Sequence, residues 1–212
     1  MQPANTQYDK VALRYLALGD SYTIGEGVTA NESFPYQLAA KLQTDSISMV
    51  TPQIIARTGW TTSELQAAVN KENLSKNFNL VTLLIGVNDQ YRNASVDQYR
   101  FEFRKILQQA IIFAGGNRTK VIVLSIPDWS VTPFAKNSDR SVTAISEEID
   151  AFNAVNKEET VALGVSYVDI TTASRKAASN RSLIAADGLH PSGKMYTEWV
   201  ELITKQMKNA GR

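Results

Sequence analysis

The chain has no cysteine and only one histidine. The first absence excludes disulfides and thiolate metal sites. It does not fix a compartment, because cysteine-free proteins occur in reducing and oxidising surroundings alike. A single histidine also disfavours a metal-dependent hydrolytic centre, which normally draws on several imidazoles. Charge of one sign is equally scarce: 22 basic residues face 21 acidic ones, for a net charge of +1. No Lys/Arg cluster breaks that balance, so there is no field to gather nucleic acid or an anionic membrane surface. No apolar run approaches the roughly 18 residues needed to span a bilayer, which predicts no stable membrane insertion. The first ten residues are polar and lack a signal-peptide core, so the sequence as given reads as cytoplasmic, with an exported form whose leader was trimmed as the alternative. Nucleotide signatures are missing too. Gly25-Glu26-Gly27 lacks the rest of a dinucleotide fingerprint, and no Gly-Lys-Ser/Thr loop occurs.

What is present is ordinary globular material: 212 residues, 43% hydrophobic and 20% charged. That length buries a large core and fits one domain over residues 1–212, with 1–10 expected as a flexible lead-in. Short apolar runs alternate with amphipathic stretches. Arg14–Leu18 reads as a first strand, stopped by Gly19. Glu32–Leu42 has helical spacing, and Ile47–Ala56 holds a second strand interrupted at Pro52. Thr61–Val69 reads as a short helix, and Leu80–Ile85 as a strand covered on both faces. Val96–Phe113 carries a helical stripe of Tyr99, Phe103, Ile106, Leu107 and Ala110, ended by Gly115–Gly116. Strand Val121–Ile126, helix Ile145–Leu163, strand Val165–Ile170 and helix Gly193–Lys208 complete the pattern. Five strand–helix alternations with short connections predict an α/β fold: a parallel sheet between two helical layers, a three-layer α/β/α sandwich.

In such sheets ligands gather outside the carboxyl ends of the strands. Every notable short motif falls there: Gly19-Asp20-Ser21, Arg57-Thr58-Gly59, Gly86-Val87-Asn88-Asp89 and Pro127-Asp128-Trp129, with Asp187-Gly188-Leu189-His190 in a late loop. Imidazole is the side chain whose unperturbed pKa suits proton transfer near neutrality, so chemistry of that kind must run through His190. A serine hydroxyl becomes a nucleophile when such a base takes its proton, and the base needs a carboxylate to hold its tautomer. Ser21, His190 and Asp187 supply these three groups, and a tight turn over two intervening residues brings Asp187 to His190. Pro191 suits the first turn of the following helix. The Ser21 N–H, the Gly59 N–H and the Asn88 side-chain amide are candidate donors to a developing oxyanion.

Taken together these blocks resemble those of the SGNH hydrolases, the GDSL esterase/lipase family: Gly19-Asp20-Ser21, Gly59, Gly86-x-Asn88-Asp89 and Asp187-x-x-His190, spread from residue 19 to residue 191. The resemblance implies a flavodoxin-like central five-stranded parallel sheet and hydrolysis of small-molecule carboxylic esters without a cofactor or metal. It implies Ser21 as nucleophile, His190 as base, Asp187 as its orienter, and an oxyanion hole from Ser21, Gly59 and Asn88. Tyr22 stands where the family's commoner motif has leucine, which bears on packing or pocket shape. The motif is not a Gly-x-Ser-x-Gly elbow, since Ser21 lies between Gly19 and Thr23. Asp20 and Asp89 are expected to tie loops through backbone N–H groups. Trp129 is expected either to wall the substrate pocket or to pack in the core, and Arg57 to form a surface ion pair rather than meet an anionic substrate. With no inserted lid segment, an open site for short or flexible acyl groups is expected. The acyl and alcohol parts of the substrate and the oligomeric state are not legible. The rival reading from another class is a non-catalytic α/β binding module for a sugar or small ligand.

Overall fold

The apolar runs become interior strands in the computed structural model, which describes residues 11–43 and 47–211. The expected N-terminal lead-in, residues 1–10, lies outside the described residues. Strands β1 (Val11–Leu13), β2 (Tyr15–Gly19), β3 (Ile47–Met49), β4 (Gln53–Ala56), β5 (Leu80–Leu84), β6 (Val121–Leu124) and β7 (Ser166–Val168) are interleaved with helices α1 (Ser21–Ile24), α2 (Phe34–Leu42), α3 (Thr62–Lys71), α4 (Val87–Tyr91), α5 (Val96–Phe113), α6 (Pro133–Lys136), α7 (Val142–Ala162), α8 (Thr171–Arg175) and α9 (Gly193–Asn209). Five strands form one parallel sheet in the order β4-β2-β5-β6-β7. Counted along the chain, that is the 2-1-3-4-5 order of flavodoxin-like sheets. The three-layer α/β/α architecture expected from the sequence is therefore the observed one. None of the described helices is long and apolar enough to cross a membrane.

Strands β2, β5 and β6 are buried along their full length, as their unbroken apolar runs demand of a sheet covered on both faces. Helix α2 packs with α9, while α5 packs with both α3 and α7. The stripe read from α5 is the face it buries: Tyr99, Phe103, Ile106, Leu107, Ala110 and Phe113 are all interior. Each of its larger side chains contributes roughly 1.5–3 kcal/mol by leaving water.

The interruption expected at Pro52 is present, and it divides the segment between two sheets. The second strand is two strands, because β3 pairs with β1 outside the main sheet and β4 pairs with β2 inside it. Leu13 aligns with Met49 and Leu16 with Gln53, so one partner advances three residues while the other advances four. The extra residue falls at Val50–Pro52, where Pro52 has no N–H to offer a ladder. The bend places both short strands at the amino end of the sheet, away from the motif-bearing edge.

The two central strands β2 and β5 run in parallel side by side, with chain order reversing between them. Crevices in open α/β sheets form at that reversal, outside the carboxyl ends of the strands. Residues 20–22 leave β2 and residues 86–88 leave β5 at this point.

Candidate active site

The site begins with a turn too tight for any side chain but hydrogen. A Cβ on Gly19 would lie 2.1 Å from Thr23 Oγ1 and 2.4 Å from the Leu84 carbonyl oxygen. Because β2 ends in glycine, the chain turns at once into α1, with Asp20 as N-cap accepting from the Tyr22 N–H at 3.0 Å. Ser21 therefore stands at the start of α1, where first-turn N–H groups have no intrahelical partner. On the far side, Asp187 Oδ1 accepts from the N–H groups of Leu189 (2.9 Å) and His190 (3.0 Å), folding residues 187–190 into one turn. The loop is closed by Ala185 N–H donating to the His190 carbonyl at 2.8 Å and by a bridge between Ile184 and Pro191.

These turns bring together residues 169 positions apart. Ser21 Oγ lies 3.0 Å from His190 Nε2, and His190 Nδ1 lies 2.7 Å from Asp187 Oδ2. Ser21 is 5% exposed and His190 9%. Burial works against a charge on Asp187, but the Leu189 N–H, the His190 ring and the His190 N–H outweigh it and hold the carboxyl below its usual range. An ionised carboxylate only accepts, so Nδ1 carries the hydrogen and Nε2 presents a lone pair to the serine hydroxyl. Gly27 confines the carboxylate: a Cβ there would sit 2.7 Å from Asp187 Oδ2 and 3.0 Å from Ala185 Cβ.

Gly59 takes a left-handed φ of +81° in the turn after β4, and Asn88 is the second residue of α4, after β5. Asn88 Nδ2 donates to the Trp60 carbonyl at 2.9 Å, which fixes the amide and leaves its second hydrogen. A cleft of about 200 Å³ is lined by Ser21, Gly59, Asn88, Trp129 and His190. The strand-end motifs thus meet at one edge, as the alternation predicts. Trp129 is buried, donates from Nε1 to Gln90 Oε1 at 2.9 Å, and lines the cleft. Gln90 in turn donates to Glu148 on α7, which also accepts from Arg140.

The sequence did not point to Thr58, Val87, Tyr91, Phe134 and Leu189 as cleft lining. Phe134 lies five residues past Trp129, in α6, and Leu189 lies inside Asp187–His190. Tyr91 and Phe134 flank Trp129, with ring centroids 5.6 and 5.9 Å away. Arg57 is a correction: it is exposed and forms no ion pair among the described residues. The nearby Glu26 carboxylate is taken by the Thr58 hydroxyl.

Asp89 ties α4 to the start of α3, accepting from the Thr62 N–H at 2.9 Å and the Thr62 hydroxyl at 3.0 Å. Burial still pushes its carboxyl up to about 6. Asp20 is enclosed completely, and its Oδ2 has no hydrogen-bond partner among the described residues. Burial drives its carboxyl up to about 8, against the Tyr22 N–H and with help from the nearby Asp89 charge. The unfolded chain ionises such a group near about pH 4. The folded form therefore holds a proton between about 4 and 8 that the unfolded form has lost. Stability from this group is whole below pH 4 and drains as pH rises through 8. Asp20→Asn keeps the acceptor for Tyr22 and removes the charge. Thermal melts should show matching Tm values near pH 4 and a higher Tm for the variant above about pH 8. A variant that melts lower at both pH values would contradict this account.

No curated protein sequence matches the chain. Similar solved structures include a lipase/acylhydrolase from Enterococcus faecalis, 25% identical with a TM-score of 0.66 over 93% of this chain and 97% of that one. An extracellular lipase from Streptomyces rimosus is 17% identical, with a TM-score of 0.71 over 92% of this chain and 99% of that one. A mutant acetyl-xylooligosaccharide esterase from Geobacillus is 16% identical, with a TM-score of 0.71 over 95% and 96%. The profile of the GDSL-like lipase/acylhydrolase family matches residues 17–197. The chain belongs to that family and is a hydrolase acting on esters.

Proposed function

We propose that the protein is a serine esterase working through an acyl-enzyme intermediate. The observation that carries this reading is the unbroken chain Asp187–His190–Ser21, with contacts of 2.7 and 3.0 Å. His190 Nε2 takes the Ser21 hydroxyl proton as Oγ bonds to the ester carbonyl carbon. The carbonyl π pair moves to oxygen, where the Ser21 N–H, the Gly59 N–H and Asn88 Nδ2 receive the charge. Losing one such donor typically costs about 2.7–4 kcal/mol of transition-state stabilisation. The imidazolium, steadied by Asp187, then gives its proton to the departing alkoxide oxygen. Water, giving a proton to the same Nε2, attacks the acyl carbon; the C–Oγ bond then breaks, the imidazolium returns the proton to Ser21 Oγ, and the acid leaves.

A cleft of about 200 Å³ falls below the roughly 300–1,000 Å³ usual for sites that enclose a drug-sized ligand. Together with the aromatic wall of Tyr91, Trp129 and Phe134, this supports a short, compact acyl group rather than a long chain. A serine-directed fluorophosphonate should add once, at Ser21, and Ser21→Ala should abolish the adduct, both read by intact-mass and peptide spectrometry. Across p-nitrophenyl esters from acetyl to palmitoyl, kcat/KM should peak at the short end. A folded protein that takes no adduct and hydrolyses none of these esters belongs instead to the binding-module reading.

A further inference from the structure

The Gly59 turn carries one of the proposed oxyanion donors, yet little packs against it. A Cβ built on Gly59 would meet a single atom within 4 Å, Arg92 Nη2 at 3.8 Å. The turn's own closure is one bond, from the Trp60 N–H to the Arg57 carbonyl at 3.2 Å. Apart from the Thr58 hydroxyl, which donates to the Glu26 carboxylate, what holds it is α4 and the residue that caps it. Asn88 donates to the Trp60 carbonyl, and Arg92 Nη2 donates to the Gly59 carbonyl at 2.7 Å. Two consecutive carbonyls of the turn are thus gripped from the segment that also presents the Asn88 amide. Arg92 is aimed by a second contact, Nη1 to Glu64 Oε2 at 3.2 Å, while Glu64 is itself locked in the N-terminal capping box of α3. A guanidinium suits this task because its donors form a rigid fork that spans two acceptors at once.

We propose that Arg92 is a positioning residue for the oxyanion hole, clamping the Gly59 turn to α4 so that the Gly59 N–H and Asn88 Nδ2 keep a fixed separation. The clamp acts through the Gly59 peptide and requires no contact with substrate. It rests on the esterase reading above. Oxyanion stabilisation depends on donors fixed before the charge develops, so a turn free to drift loses rate at the chemical step and not in substrate affinity. The side chain is half exposed, and an exposed ion pair contributes little to stability, so its removal leaves the fold in place.

The test uses the full chain and a neutral short-chain p-nitrophenyl ester. Arg92→Gln should lower kcat about tenfold, less than the 10²–10³ expected for losing a donor outright. KM should stay within about twofold and Tm within about 2 °C. The rate of fluorophosphonate addition at Ser21 should fall by the same factor as kcat. Arg92→Lys, which keeps a cation and a single donor, should recover part of the loss. An unchanged kcat in Arg92→Gln would overturn the proposal. So would a loss confined to KM and to anionic esters, which would make Arg92 a substrate contact, or a loss matched by a large fall in Tm. A wild-type protein that neither hydrolyses the ester nor takes the phosphonate would bring down the esterase reading and this clamp with it.

Discussion

Replacing His190 with alanine should lower kcat/KM for a short ester by about 10⁵-fold or more, the scale seen when a triad base is removed. The expectation is sharp here because the sequence holds no second imidazole to stand in. The neighbouring Asp20 carboxyl faces the main chain of α1, capping it through Oδ1 with the Tyr22 N–H. Adding Ser21→Ala to the same protein should cost almost nothing more, because the two side chains act as one unit and their losses do not add. Steady-state rates of the two single variants and the double variant measure this directly. Wild-type turnover in His190→Ala would remove the imidazole from the reaction.

Asp187→Asn should cost about 10⁴-fold in kcat while leaving the fold intact. Oδ1 can go on accepting from the Leu189 and His190 N–H groups, so the turn survives. The atom facing His190 Nδ1 becomes an NH₂ in place of Oδ2, a donor where an acceptor stood. The ring must then carry its hydrogen on Nε2, and that nitrogen can no longer take the serine proton. Circular dichroism should show an unaltered fold, and ester turnover should be nearly lost. Retained turnover would mean that the carboxylate does not set the tautomer.

Much of this was legible before any coordinates. Strands β2, β5 and β6 announce themselves because a strand covered on both faces must be apolar at every position, and α5 because its stripe has no competing period. Ser21, His190 and Asp187 stand out as candidates because each sits at a strand end or in a tight turn of distinctive composition. Other parts were hidden for physical reasons. The split of β3 from β4 depends on pairing partners 36 and 37 residues apart, Val11 with Ile47 and Leu16 with Gln53, which no local pattern encodes. The short helices α1 and α4 were not read, since four or five residues give too little periodicity. Arg92 looked like any charged surface residue, because its acceptor is a backbone carbonyl 33 positions away. Arg57 misled for the converse reason: charge in a loop suggests a partner, and among the described residues it forms no ion pair.

The four-residue turn from Asp187 to His190 has a dynamic corollary. Two hydrogen bonds from main-chain N–H groups and one from the imidazole tie Asp187 to its own turn, so any breathing of that loop carries carboxylate and imidazole as a single body. Only the gap to the serine on α1 is then free to vary. Motion at this edge would throttle proton removal from the hydroxyl while leaving the ring's own orientation untouched.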